Sequence, residues 1–143
     1  MVEADRNLLQ QIGRTGRALV AAFEFRVGHP LPRWRILRAM SAEDGMTQKS
    51  LAKILMMDPG SLTRQMKLLE AEGLVRRRTD PDDNRLTRVA LTEEGRAVIV
   101  EGEPLRQAFF NEALGCVEPE QLEAAMSVLQ TLEAHFGHVA VVQ

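Results

Sequence analysis

The 143-residue sequence is sparing with several residue types: it has one cysteine, no tyrosine, and aromatic residues make up only 4% of it. A lone Cys116 cannot close an intramolecular disulfide and agrees with a reducing compartment. Long apolar runs are missing too. The longest, Ala18 to Phe23, is fenced by Arg17 and Glu24 and falls far short of the ~20 residues a membrane span needs. Glu3 and Asp5 precede any apolar stretch, so no secretory signal is visible and a cytoplasmic protein is expected. The motifs of common enzyme classes are absent as well: no phosphate-cradling glycine loop, no His-Glu-x-x-His, no nucleophile elbow. There is no 20–50-residue repeat and no Ser/Gly-rich linker. With 45% apolar and 27% charged residues the chain reads as one ordinary globular unit, which excludes disordered and collagen-like classes.

Net charge is small, −2, but it is unevenly spread. Residues 1–45 carry seven arginines against five acids, and residues 46–91 carry nine Lys/Arg against six acids. Residues 92–143 hold only Arg96 and Arg106 against nine glutamates. A basic middle followed by an acidic tail suits two different partners, although such a tail is also what a solvated helical face looks like.

The periodicity is mostly helical. Leu8, Ile12, Gly16, Leu19, Phe23 and Val27 step by three and four, predicting a first helix over 6–27. Gly13 and Gly16 weaken that helix by roughly 1 kcal/mol each, which points to close approach of another helix there. The stretch Gly28 to Pro32 breaks the chain, and Trp34, Ile36, Leu37 and Met40 predict a short helix stopping near Asp44-Gly45. Thr47 is a candidate N-cap for a helix burying Leu51, Ala52 and Leu55. Asp58-Pro59 is a stronger start signal, followed by the stripe Leu62, Met66, Leu69 and a terminating Gly73. The opposite face of that helix carries Ser61, Thr63, Arg64 and Lys67.

After Gly73 the pattern changes to two β-compatible runs, 74–79 and 87–91, joined by the turn-rich residues 80–86. Thr92 caps a further helix, 92–114, which Pro104 is expected to kink or interrupt. Glu118-Pro119 opens a last helix with Leu122, Met126, Leu129 and Phe136 on one face. The fold class expected is mainly α with a small β-wing: a winged helix-turn-helix domain plus helices that pair with a second copy.

A capped helix with a polar, basic outer face fits the major groove of DNA, where Ser, Thr and Arg reach base edges. A thin ribbon tipped by Arg85 fits the minor groove, with Asp83 two residues away able to hold the guanidinium. Arg76, Arg77 and Arg78, with Arg88 on the returning strand, are candidates to neutralise phosphates. Charged residues also protect an exposed edge strand. Gln48 and Lys49, at the start of the helix before the basic one, complete the candidate DNA contacts.

These segments, Met57 to Arg64, Leu68 to Arg76, Asp80 to Arg85 and Leu91 to Gly95, together resemble the MarR family of bacterial winged-helix regulators, and the opening Glu118 to Leu122 of the last helix does so too. Gly60, early in the basic helix, would add flexibility where that helix meets DNA. The resemblance implies an obligate homodimer with its N-terminal and last two helices interlocked, on a pseudo-palindromic operator with half-sites about one turn (~10 bp) apart. It thus implies dimerisation segments 1–30 and 93–143 around a DNA-binding segment 31–92, and repression by occluding a promoter. It also implies release by a small aromatic acid or phenol, with no other cofactor. A carboxylate wants an Arg or His donor and a flat ring wants an aromatic partner, so Arg14, Arg17, His29, Trp34, Arg35, Arg38 and Phe109 are the candidate effector residues. Two other inputs compete. Redox sensing would have to use Cys116, which reads more simply as a small buried hydrophobe. Metal sensing would rest on His135 and His138, a thin ligand set. A winged helix used only for protein contact is the rival outside DNA binding.

Overall fold

In the computed structural model the description covers residues 2–141, with side chains from 7 to 140. Six helices and one ribbon follow in order: α1 (Val2–Val27), α2 (Leu31–Ser41), α3 (Gln48–Leu55), α4 (Pro59–Ala71), β1 (Val75–Thr79), β2 (Thr87–Leu91), α5 (Glu93–Leu114) and α6 (Pro119–Val141). The chain divides into two compact units, Met1–Arg106 and Gln107–Gln143.

The element boundaries follow local chemistry. Thr47 accepts a hydrogen bond from the Ser50 amide at 3.0 Å and so caps α3. Asp58 accepts from the Ser61 amide at 3.0 Å, with Pro59 in the first turn, and so caps α4. At the far end of α4, Gly73 adopts φ +77°, its amide donates to Glu70 and the Leu74 amide donates to Leu69, both at 3.0 Å. That is a Schellman closure, which needs the left-handed conformation glycine takes without strain. The turn between α3 and α4 makes the same kind of stop without glycine. Met56, 85% exposed, takes φ +53° and donates its amide to Ala52 and Lys53. No residue type at 56 announces that conformation.

Helix α2 starts at Leu31, three residues before the predicted apolar run, because Pro32 sits in the first turn where a missing N–H is harmless. It ends at Ser41, whose hydroxyl donates to the Arg38 carbonyl at 2.6 Å. Of the kink or interruption expected at Pro104, the interruption is not found: α5 runs through the proline. The proline removes one bond, to the Val100 carbonyl. Val100 is 72% exposed, so water can take that place.

The β1–β2 ribbon is antiparallel, pairing Val75 with Leu91 through Thr79 with Thr87. A short third piece joins it: Thr47 bridges to Arg88, and the Val89 amide donates to the Met46 carbonyl at 2.9 Å. The core of the winged part gathers Ile36, Leu37 and Met40 of α2, Leu51 of α3, Leu62, Met66 and Leu69 of α4, and Val75, Val89 and Leu91 of the ribbon. Next to it Phe23 and Trp34 pack edge to face at 6.1 Å, both buried.

Two glycines are fixed by contact. A Cβ at Gly95 would overlap the Leu74 carbonyl oxygen, and one at Gly102 would overlap the Trp34 indole. Gly95 lies where the chain turns from β2 into α5: Thr92 donates its hydroxyl to Gly73 at 2.6 Å and accepts from the Gly95 amide at 3.1 Å. By contrast, nothing lies within 4 Å of a Cβ built on Gly16, and Gly13 meets only Arg17 of its own helix. The close helix approach expected there is not made within a single chain. Leu8, Leu9, Ile12 and Val20 of α1 stay open, and in the second unit so do Met126, Leu129 and Phe136 of α6.

Candidate nucleic-acid interface

Helices α3 and α4 and the ribbon bring several of the expected contacts together. Gln48, Lys49, Thr63 and Arg85 line one recess of about 190 Å³, floored by Ala52 and Leu62. Within it the Gln48 amide donates to the Thr63 hydroxyl at 2.8 Å, and that hydroxyl donates to the Pro59 carbonyl at 2.9 Å. Gln48 and Thr63 thereby tie α3 to the first turn of α4. Lys49, Arg64 and Lys67 are exposed, and Ser61 is half-buried.

Arg64 is held rather than loose. Its Nη2 donates to the Ser61 hydroxyl at 3.1 Å, and the Ser61 hydroxyl in turn faces the Asp58 carboxylate at 3.4 Å. Gly60 makes room for this arrangement: a Cβ there would stand 3.2 Å from Asp58 Oδ2 and 4.0 Å from Arg64 Nη1. Gly60 thus supplies clearance beside the Asp58 carboxylate. The guanidinium lies back over the first turn of α4.

At the ribbon tip, Asp83 accepts from Arg85 through both oxygens, Nε at 3.1 Å and Nη2 at 3.2 Å, and from the Arg85 amide at 3.1 Å. The Arg85 side chain is nonetheless 85% exposed. These bonds, the side-chain one first, hold the Asp83 carboxyl below the usual aspartate range. The two-residue spacing alone had suggested this pair.

The other arginines of the ribbon divide. Arg76 and Arg78 are exposed. Arg77 turns back onto α4, donating from Nη2 to Glu70 Oε1 at 3.1 Å and from its amide to Glu70 Oε2 at 3.2 Å. The Arg77 hydrogen bond holds the Glu70 carboxyl below its usual range. Arg88 donates from Nε to Asp80 Oδ2 at 2.7 Å and from Nη1 to the Gly45 carbonyl at 3.1 Å. Arg77 and Arg88, both expected among the DNA contacts, are paired with carboxylates of the protein, Arg77 at the end of α4 and Arg88 at the base of the ribbon.

Asp80 went unremarked as a functional candidate in the sequence, where it is one of several turn residues. In the fold it is buried, and its Oδ1 accepts from the Asp82 and Asp83 amides at 2.8 and 3.0 Å. Arg88 and these amides hold its carboxyl below the ordinary aspartate value of 3.8. A carboxyl with a lowered folded-state pKa stabilises the fold above its unfolded pKa and loses that contribution as pH falls toward the folded value. Wild-type melting temperature is accordingly expected to decline as pH drops below about 4. In Asp80→Asn the melting temperature is expected to be lower at neutral pH and the acid decline shallower, both read by thermal melts across pH.

The candidate effector residues are not gathered in this way. Trp34 is 1% exposed, sealed by Phe23 and Gly102, so it serves the core and not an open aromatic platform. His29 is half-buried with its ring 6.5 Å from that of Trp34. Burial, with the neighbouring Arg33 charge, lowers the His29 pKa. Arg38 pairs with Glu103 at 3.5 Å, while Arg14, Arg17 and Arg35 are exposed. Arg33 binds Glu72, the residue after α4. In the second unit Phe109 stacks edge to face on Phe110 at 5.3 Å. Cys116 is exposed, not buried as expected, with its thiol on the Glu112 carbonyl at 3.2 Å. No group of three or more potential metal ligands comes together among the described residues, which leaves His135 and His138 as a pair. Among those residues no helix is long and apolar enough to cross a membrane.

Three helices closed by a two-stranded ribbon, with a helix on either side, define a winged helix-turn-helix protein. The MarR family profile matches residues 30–87. The chain is 29% identical over 135 residues to an uncharacterised HTH-type transcriptional regulator, YdgJ of Bacillus subtilis, covering 94% of this chain and 82% of that one. Among solved structures it resembles a mutant Escherichia coli MarR complexed with operator DNA, with a TM-score of 0.79 at 22% identity, over 88% of this chain and 93% of that one. It resembles equally the PcaV regulator of Streptomyces coelicolor in complex with its natural ligand, again with a TM-score of 0.79, at 19% identity, over 87% and 89% of the two chains. The fold is that of the solved MarR regulator, and residues 30–87 carry the match to the MarR family.

Proposed function

We propose that this protein is a MarR-family transcriptional regulator that binds double-stranded DNA as a homodimer, with α4 in the major groove and the ribbon tip in the adjacent minor groove. The observation that carries the reading is Arg85, almost fully exposed yet held on two sides by Asp83, beside the recess that Gln48, Lys49 and Thr63 line. A guanidinium fixed before binding loses little freedom on entering a narrow, electronegative groove. Ser61 and Arg64 read base edges, while Lys67, Arg76 and Arg78 face phosphates.

Residues 31–92 form the DNA-binding part, and residues 1–30 and 93–143 supply the dimer contacts. Support for the second copy comes from the open apolar residues of α1 and α6, since stripes of this length are rarely left to water. The dimer spans a pseudo-palindromic operator and represses by occluding the promoter. A small aromatic carboxylate or phenol releases it. The exposed Arg14, Arg17 and Arg35, with His29, are the donors left for its acid group.

The test is a gel shift on the DNA upstream of the protein's own gene, repeated across salt, with light scattering for mass. Binding to one sequence with a steep salt slope, by a particle of twice the chain mass, is expected. A monomeric particle indifferent to every duplex would overturn the proposal. Titration of benzoate- and nicotinate-type acids is expected to weaken binding by about 1–3 kcal/mol; an unchanged affinity across the panel would remove the effector part alone.

A further inference from the structure

Asp80 and Arg88 lie at the root of the ribbon, and their bonds run in one connected series. The core loop offers the Gly45 carbonyl to Arg88 Nη1 at 3.1 Å. Arg88 Nε grips Asp80 Oδ2 at 2.7 Å. Asp80 Oδ1 holds the Asp82 and Asp83 amides at 2.8 and 3.0 Å, and the Asp80 amide donates to the Leu86 carbonyl at 2.9 Å. Asp83, placed by that turn, then grips Arg85 with both oxygens.

Exposure falls steeply along this series. The Arg85 side chain is 85% exposed, that of Arg88 36% and that of Asp80 9%. A carboxylate buried to that degree is retained only when it is fully bonded, and here every oxygen has a partner. Tight turns in this region need no such anchor: Asp83 alone bonds the Leu86 amide at 3.0 Å through its own carbonyl. What the buried pair adds is a tie from the tip to a loop more than forty residues away in sequence, so that the tip has a fixed direction relative to α4.

Resting on the DNA-binding reading above, we infer that Asp80 and Arg88 are positioning residues that aim Arg85, and that Arg88 itself does not touch the phosphate backbone.

The experiment is a double-mutant cycle in the full-length protein. Wild type, Arg85→Ala, Arg88→Met and the double variant are each bound to a duplex that wild type enriches from a randomised pool, and to a scrambled duplex of the same composition. Arg88→Met keeps the aliphatic stem and leaves Asp80 its two amide donors. Alone, it is expected to weaken binding to the enriched duplex roughly tenfold, because Arg85 is no longer aimed. In the Arg85→Ala background it is expected to change affinity by less than about twofold, since nothing remains to be positioned. Asp80→Asn, which keeps the oxygen for the amides and drops the charge that holds Arg88, is expected to follow the same pattern. A further tenfold loss in the Arg85→Ala background, with a shallower salt slope, would make Arg88 a phosphate contact and overturn the inference. An Arg88→Met protein that binds like wild type would overturn it too. Should Arg88→Met fail to fold, Arg88→Lys carries the same test, because a single ammonium cannot hold the paired geometry of Asp80 and Gly45. If wild type enriches no sequence at all, the DNA-binding reading falls and the inference with it, a result distinct from a selective wild type with an indifferent Arg88→Met.

Discussion

Gly95→Ala is expected to lose about 3 kcal/mol of stability, roughly 10 °C in melting temperature for a chain of this size. The added methyl would overlap the Leu74 carbonyl oxygen and crowd the Leu91 side chain at 3.2 Å. Neither neighbour can yield easily. The Leu74 carbonyl accepts the Thr92 amide at 3.1 Å, and Leu91 is buried in the core at the end of β2. Relief would require α5 to move away from the ribbon, breaking the Thr92 bonds to Gly73 and to the Gly95 amide. Denaturant unfolding monitored by circular dichroism measures the loss; a midpoint equal to that of wild type would mean that the turn from β2 into α5 is softer than this packing implies.

Arg85→Ala is expected to cost a comparable amount in a different quantity. Affinity for the enriched duplex should fall roughly ten- to a hundredfold, the size of one good charged contact to DNA. Melting temperature should stay within about 1 °C of wild type, because truncating so exposed a surface side chain changes stability little. The scrambled duplex should be bound slightly less well, with the salt slope reduced by about one. Fluorescence anisotropy at several salt concentrations separates these effects. Equal loss on both duplexes would reduce Arg85 to a non-specific phosphate contact, and no loss on either would remove the ribbon from the interface.

Local signals were the readable part of this protein. The caps at Thr47 and Asp58, the stop at Gly73 and the Asp83–Arg85 pair each involve residues two to four apart, and each formed as the sequence predicted. The two β-compatible runs likewise became β1 and β2. What stayed hidden depends on long-range approach. Arg76, Arg77 and Arg78 look alike in sequence, yet Glu70 captures the middle one because strand alternation turns it toward α4. Arg88 looks like a fourth surface cation until the 42–47 loop brings the Gly45 carbonyl beside it. Trp34 could not be told from a ligand platform, because its cover is a glycine 68 residues further on. Cys116, read as a small buried hydrophobe, is exposed, and the helix approach read at Gly16 has no counterpart within the one chain.

The indole over Gly102 couples two distant positions. With tryptophan at 34, every side chain larger than hydrogen is barred from 102, and with any other residue at 102 the tryptophan must shrink or tilt. Divergence at either place is therefore channelled: the pair drifts in concert, a smaller ring arriving before or together with the first methyl, and intermediates that change the glycine first pass through a less stable protein.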